Sequence, residues 1–564
     1  MILPAARLIL LLVVCSLGPG LWIVGRLKWS PMEKLCGAFA ASFITVYLVS
    51  FGLFCIGGSP WAYWIASAVC ALIGLAGWRT ALVLLRSRYT RATLIAFGVV
   101  LGWDFLHLAL VRNYSGGLWS GDWHEQYDRT RFFLHELPVD YPYLGRYSLA
   151  ARPPMMNAMA AFFCAQVGLS FEAFSLAFLF LNAWAFVPCC ALLRRFAPRL
   201  RNGPFILAAL FMLNPSIVEN VTYTWTKAFS AGWVVLGVCL YLRRRTLAAA
   251  LSLAAGMLVH YSAAPFALAI GLHCLVRSPA KALASGIAAA AFLASWFSWS
   301  IVKFGLAATI SSPALTSGVS ASSPGENIAR VFFNLYTSLV PHPLQFTTPH
   351  YPVLANLHGA SDVRDYYFTM AQTTLPMMIG LTGGLIAAGL LARLVWRRHG
   401  WEKRFWIFIL LFGCIAGLCT NHTWDVTGCA HILFQPVALM GVTLLAAFLP
   451  RLGSMAFGAL LAGLSVDYGL GILLQFNRES LVPQPNASTS QLTEWFGREF
   501  GYVGLAEYVA KRNGGYVFWG DQVSPFAVGL QIASIIGAVL ALWFLLHIHG
   551  VAVHKFRRNA DLTL

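Results

Sequence analysis

The chain has 564 residues, 59% of them hydrophobic and 11% charged. A soluble globular chain carries about 25% charged residues, so the composition excludes an ordinary soluble enzyme and points to the membrane. The net charge of +18 would suggest nucleic acid in a soluble protein. Here Lys and Arg cluster in short loops between apolar runs, as orientation signals do, and anionic lipid is the expected partner, not nucleic acid.

The first apolar run, 8–24, has the length of a signal peptide. Cleavage would leave Arg26, Lys28 and Lys34 on the exported side, so a retained span is expected. Further runs follow at 35–56, 61–78, 93–111, 171–192, 204–218, 226–242, 246–260, 262–276, 281–304, 371–395, 404–420, 429–449, 452–472 and 527–548. Several are short enough to be re-entrant, giving about 13–15 transmembrane helices. Backbone groups in lipid must bond within their own segment, so the fold class is an all-α polytopic membrane protein.

Basic clusters recur at alternate loops: Arg79 to Arg91, Arg194 to Arg201, Arg243 to Arg245, Arg397 to Arg404, and the tail from His554 to Arg558. This places the N-terminus outside and the C-terminus inside. Counting 153–169 as a span would invert every later cluster, so it is expected as an interfacial helix on the outer face. The chain then divides into N-terminal spans (1–111), an outer acidic loop with the interfacial helix (112–170), central spans (171–304), an outer loop (305–370), C-terminal spans (371–472), an outer loop (473–526), and the last helix with its basic tail (527–564). The 12 Cys lie in or beside apolar runs without metal-ligand spacing and read as small packing residues.

Unusual polar residues gather on the outer side. The first outer loop reads Gly121-Asp122-Trp123-His124-Glu125-Gln126-Tyr127-Asp128. On a helix Asp122 and Glu125 share a face, as do His124 and Asp128. Asp122 suits either an N-cap or a general base at the membrane surface, where partial desolvation raises a carboxyl pKa. Arg152-Pro153-Pro154 opens the interfacial helix, since Pro fits a helix start. Arg152 there either snorkels to phospholipid or holds a lipid-linked phosphate bidentately. Lys227 closes the turn from Glu219 against the charge trend, either paired with Glu219 or functional. His260 and Tyr261 end a span on the same side. His422, Asp425 and His431 surround another outer turn but match no ligand spacing, so a divalent metal is possible without being indicated, and no cofactor is expected. Sequons at Asn113, Asn220, Asn421 and Asn486 all fall outside in this topology.

The acidic loop Gly121-Asp122-Trp123-His124-Glu125, the Arg152-Pro-Pro-Met-Met-Asn157 segment, the span ending Leu193-Arg194-Arg195-Phe196 and the turn 219–227 resemble the GT-C superfamily of membrane glycosyltransferases. The likeness is to the protein O-mannosyltransferase and lipid A aminoarabinose transferase type, over roughly residues 112–260. It implies an inverting transferase that takes a sugar from a polyprenyl-phosphate donor to a hydroxyl of a glycan, lipid or protein acceptor. The transfer would occur on the outer face of, most naturally, a bacterial inner membrane. It also implies Asp122 as base, Glu125 as a second candidate, Arg152 and Lys227 on the donor phosphate, and Trp123, His124, His260 and Tyr261 lining the substrate. The chain departs from the family by placing the acidic loop after about four apolar runs and Lys227 where Asp is common. The rival expectations are a transporter or flippase, to which Asp104, His107 and Asp467 within spans would belong, and an assembly component of a polysaccharide export complex.

Overall fold

The computed structural model describes residues 2–111, 122–143, 147–311, 323–345, 360–397, 400–421, 423–476, 518–519 and 521–561. It is an all-α, multi-pass membrane protein. Helix α1 (Ile2–Gly25) and α2 (Pro31–Cys55) form the first hairpin. Pro31 at the helix start and a reciprocal Ser30–Glu33 capping box fix where α2 begins. A Cβ on Gly20 would overlap the Ala38 carbonyl, so the two backbones approach as small residues in membrane helices allow.

Next come α3 (Pro60–Ala76) and α4 (Trp78–Arg86), bent by 61°, then α5 (Arg88–Leu110), α6 (Asp122–Phe132) and α7 (Met155–Val167). Helices α8 (Phe171–Ala183) and α9 (Phe186–Phe196) form one nearly continuous span through the centre of the bundle. Trp184 at their junction packs on Phe43, Phe229 and Trp233, with 4.9 Å between the two indole centroids. Helices α10 (Gly203–Met212) and α11 (Pro215–Thr222) meet at 81°, a broken or re-entrant segment. Asn214 caps the second piece by accepting the Ile217 N–H at 2.9 Å. Helices α12 (Lys227–Leu242), α13 (Thr246–Val259), α14 (Ala264–Arg277) and α15 (Pro279–Phe304) complete this half.

Among the described residues seven helices are long and apolar enough to cross a membrane, and up to nine if each bent pair is one span. The remaining expected spans are shorter. At 16 residues α12 reaches about 24 Å, less than the ~30 Å hydrocarbon core. Helix α7 differs from expectation in its covering. Every residue from Met155 to Cys164 is buried, so α7 is an internal helix packed on all sides, not an amphipathic one lying on lipid.

The expected span 371–395 is also broken. Separate helices run Ala360–Thr373, Leu375–Ile379 and Gly383–Arg397. Gly380 adopts φ +118 at the break. The Leu381 N–H freed there donates to both carboxylate oxygens of Asp467, at 3.1 and 3.2 Å, and the Tyr367 hydroxyl donates to the same carboxylate. Asp467 therefore satisfies an interrupted backbone inside the bundle. In α5, His107 bonds the Trp103 carbonyl at 2.9 Å and Ser534 at 3.0 Å, while Asp104 is buried beside it on the same helix. The sequons at Asn220 and Asn421 are buried, which closes them to a modifying enzyme; those at Asn113 and Asn486 lie outside the described residues.

The bundle has two distinct ends. The Arg243–Arg245 turn between α12 and α13 sits where α1 passes into α2: Arg245 donates to the Lys28 carbonyl at 3.1 Å and faces Glu33 at 3.7 Å. Arg194 lies over the Tyr89 ring at the start of α5. Basic loops distant in sequence thus share one end. The start of α12 and the close of α13 mark the other.

Candidate active site

Helix α6 runs Asp122–Phe132, and residues 112–121 before it lie outside the described residues. The side chains of Asp122, Trp123 and His124 lie outside the described residues. The helix itself is pinned from below. Asn157 on α7 donates to the Gln126 carbonyl at 2.9 Å and to Thr130 at 3.4 Å. Tyr127 packs edge-on against Phe171 and Phe174, and Phe132 and Phe133 pack on Phe54.

One turn after Asp122, Glu125 is fully buried. Arg129, four residues on, donates to it from Nε at 2.8 Å. Arg152 approaches the same carboxylate at 3.4 and 3.5 Å. Burial alone would raise the Glu125 pKa, but the two guanidiniums outweigh it and hold the carboxyl below its ordinary value. Arg129 also donates to the Leu149 and Ser148 carbonyls, at 2.9 and 3.2 Å, and stacks on Tyr143. It thereby fastens the 3₁₀ turn Leu149–Ala151, whose next residue is Arg152. Glu125, expected as an alternative base, is instead a carboxylate taken up by two arginines.

The second half of the site comes from α11 to α13. Lys227 is the first residue of α12, so its ammonium adds to the positive end of the helix dipole. Its Nζ lies 4.0 Å from the centre of the Trp225 ring, which stacks on Tyr223. Asn182, from the middle of the central span, shapes this turn. Its amide donates to the Trp225 carbonyl at 2.8 Å, and its oxygen accepts the Phe229 N–H at 3.1 Å. His431 also lies against Trp225, with ring centres 6.0 Å apart.

His260 joins the halves. It closes α13, 3% exposed, and burial together with the charges of Arg152 and Lys227 holds its pKa well below the usual histidine range. His431 is held low in the same way, by burial and then by Lys227 and His260. Tyr261 donates to the Ala150 carbonyl at 3.2 Å, tying the close of α13 to the turn that carries Arg152. Arg152, Lys227, His260 and Tyr261 are therefore brought together, beside Glu125, at the end of the bundle opposite the basic loops.

Three contributors escaped the sequence reading. Arg129 was readable from its spacing to Glu125, and Asn182 as a polar residue within an apolar span. His431 was noticed only as a metal candidate. Asp425, of the same turn, is taken by Thr423 and Asn421, and its N–H by Asn334. His422 lies outside the described residues. Among the described residues no three His, Cys, Asp or Glu side chains group as a metal site would.

No family model, no curated protein and no solved structure matches this chain.

Proposed function

We propose that the protein is a glycosyltransferase of the GT-C kind, moving a sugar from a polyprenyl-phosphate donor to an acceptor hydroxyl at the extracytoplasmic face of a bacterial inner membrane. The observation that carries this reading is that two hydrogen bonds join the His260–Tyr261 corner to both cationic segments: Tyr261 bonds Ala150, two residues before Arg152, and Ser230, one turn after Lys227, bonds the His260 carbonyl. Two cations and a helix N-terminus at one spot suit a phosphate that must leave with negative charge. Asp122, one turn from Glu125 on the same face of α6, takes the acceptor proton. Glu125 and Arg129 act through Arg152: they set its direction without touching substrate. Trp225, Tyr223 and Tyr261 supply the aromatic walls a sugar needs. An apolar cavity of about 140 Å³ among α13, α14 and α15 is lined by Leu253, Met257, Ala267, Ile270 and Leu293. Met257 is one turn before His260, so an isoprenoid tail there keeps its phosphate at the site.

The transporter reading draws on the broken helix at Gly380 and the intramembrane Asp467. Its weakness is that this carboxylate already serves Leu381 and Tyr367. The test is sugar transfer by purified protein in liposomes, from radiolabelled polyprenyl-phosphate hexoses and aminosugars to a supplied panel of glycan, lipid and protein acceptors. Release of free polyprenyl phosphate by the wild type, abolished in Asp122→Asn, supports the reading; consumption unchanged in Asp122→Asn refutes Asp122 as base.

A further inference from the structure

The ring of His260 is fixed in an unusual way. Its Nδ1 accepts the main-chain N–H of Ser262 at 3.2 Å and lies 2.8 Å from the Ser262 hydroxyl. A main-chain N–H can only donate, so the Nδ1 lone pair is taken and the ring proton must sit on Nε2. Nε2 has no hydrogen-bond partner among the described residues, although His260 is nine-tenths buried and more. The backbone that carries the ring is itself held: the Ser230 hydroxyl donates to the Gly256 and His260 carbonyls at 3.0 and 3.4 Å. The charged and titratable groups facing it are Arg152 from the 149–151 turn, Lys227 from α12 and His431 from the turn before Gln435.

We propose that His260 is a fixed, uncharged hydrogen-bond donor in an anion subsite that takes a phosphate monoester between Arg152 and Lys227. The subsite deepens the glycosyltransferase reading and rests on it for the identity of the lipid carrying the phosphate. A phosphate oxygen supplies the acceptor that Nε2–H lacks, and its charge suits the two cations. Protonating His260 would require a proton on Nδ1 and would expel the Ser262 N–H. The imidazole therefore neither takes nor gives a proton during turnover. It positions the phosphate and leaves acid–base work to α6.

The phosphate can come from a prenyl lipid or be free in solution, and calorimetry on the full-length protein in detergent separates the sources. The probes are farnesyl phosphate, farnesyl sulfate, inorganic phosphate and farnesol. Farnesyl phosphate is expected to bind and farnesol to bind far more weakly. His260→Phe, which keeps a ring without the N–H, should weaken farnesyl phosphate roughly tenfold. His260→Gln, which restores an N–H near the Nε2 position, should recover most of that loss. Farnesyl sulfate does not titrate, and its affinity should stay flat from about pH 8 to pH 5.5, across the ordinary histidine range. Unfolding temperatures of both variants show whether the fold survives. Equal affinity in His260→Phe and wild type overturns the subsite, as does sulfate affinity that climbs as pH falls. If that happens while Asp122-dependent donor turnover persists, the subsite fails and the enzyme reading stands. His260-dependent binding of inorganic phosphate, with no turnover of any donor, keeps the subsite and removes the glycosyltransferase. Binding of no anionic probe removes both.

Discussion

Two clusters in this protein have the same composition, one glutamate and two arginines, at opposite ends of the bundle. At the basic end, Glu33 faces Arg243 at 4.0 Å and Arg245 at 3.7 Å, with the arginines 35% and 39% exposed. At the other, Glu125 meets Arg129 at 2.8 Å and Arg152 at 3.4 Å, with Glu125 fully buried and the arginines 1% and 20% exposed. The first is looser: its arginines reach solvent, as charges that set orientation toward lipid headgroups need to, while Glu33 itself is covered and held by Ser30. The second is desolvated, and its arginines are further fixed by carbonyls and tyrosine rings. A buried ion pair of this kind is weak support for stability as such. Its geometry reads better as positioning: Arg129 and Glu125 together determine where Arg152 points.

On the proposed glycosyltransferase reading, the sharpest break between the two ends is catalytic. Asp122→Asn should lower donor turnover by about 10²–10⁴-fold, the usual worth of a positioned general base, while Glu33→Gln leaves it unchanged; radiolabelled donor consumption reads both. Stability should separate them next. Arg129→Ala leaves Glu125 buried without its closest partner and should cost about 3–5 kcal/mol. Arg245→Ala, at an exposed pair, should cost no more than about 1 kcal/mol. Unfolding in detergent, followed by circular dichroism, measures the two side by side. Lys227→Gln should weaken farnesyl phosphate roughly ten- to a hundredfold by calorimetry, against no change for Arg243→Gln.

The smallest expected effect is in pH dependence. His260 and His431 have folded pKa values held below the unfolded one near 6.5. Above 6.5 both states are neutral there and the contribution is fully present. As pH falls below 6.5 the unfolded chain binds protons that the folded one refuses, so stability declines. His260→Gln should flatten that decline over the same window, and Arg245→Ala should not.

Much of this arrangement was legible in the sequence because it rests on local rules. Helix α12 starts at Lys227, after the polar turn that precedes it. The hairpin of α12 and α13 follows from its Arg243–Arg245 turn. What stayed hidden depends on partners far away in the chain. At the break after Gly380, the Leu381 N–H is accepted by Asp467, 86 positions beyond Leu381. The covering of α7 is supplied by α2, α6 and α8 around it, which no local pattern announces. The neutral state of His260 comes from a backbone N–H two residues on and from cations in two other segments, so the residue type alone marked it as a candidate without revealing its tautomer.

The comparison of the two ends is tested most directly by donor turnover in Arg152→Ala and Arg245→Ala, measured in the same liposomes at equal protein content. An active site at the buried end predicts severe loss in Arg152→Ala, partly restored by Arg152→Lys, with Arg245→Ala indistinguishable from wild type. Equal turnover in Arg152→Ala and Arg245→Ala would contradict it.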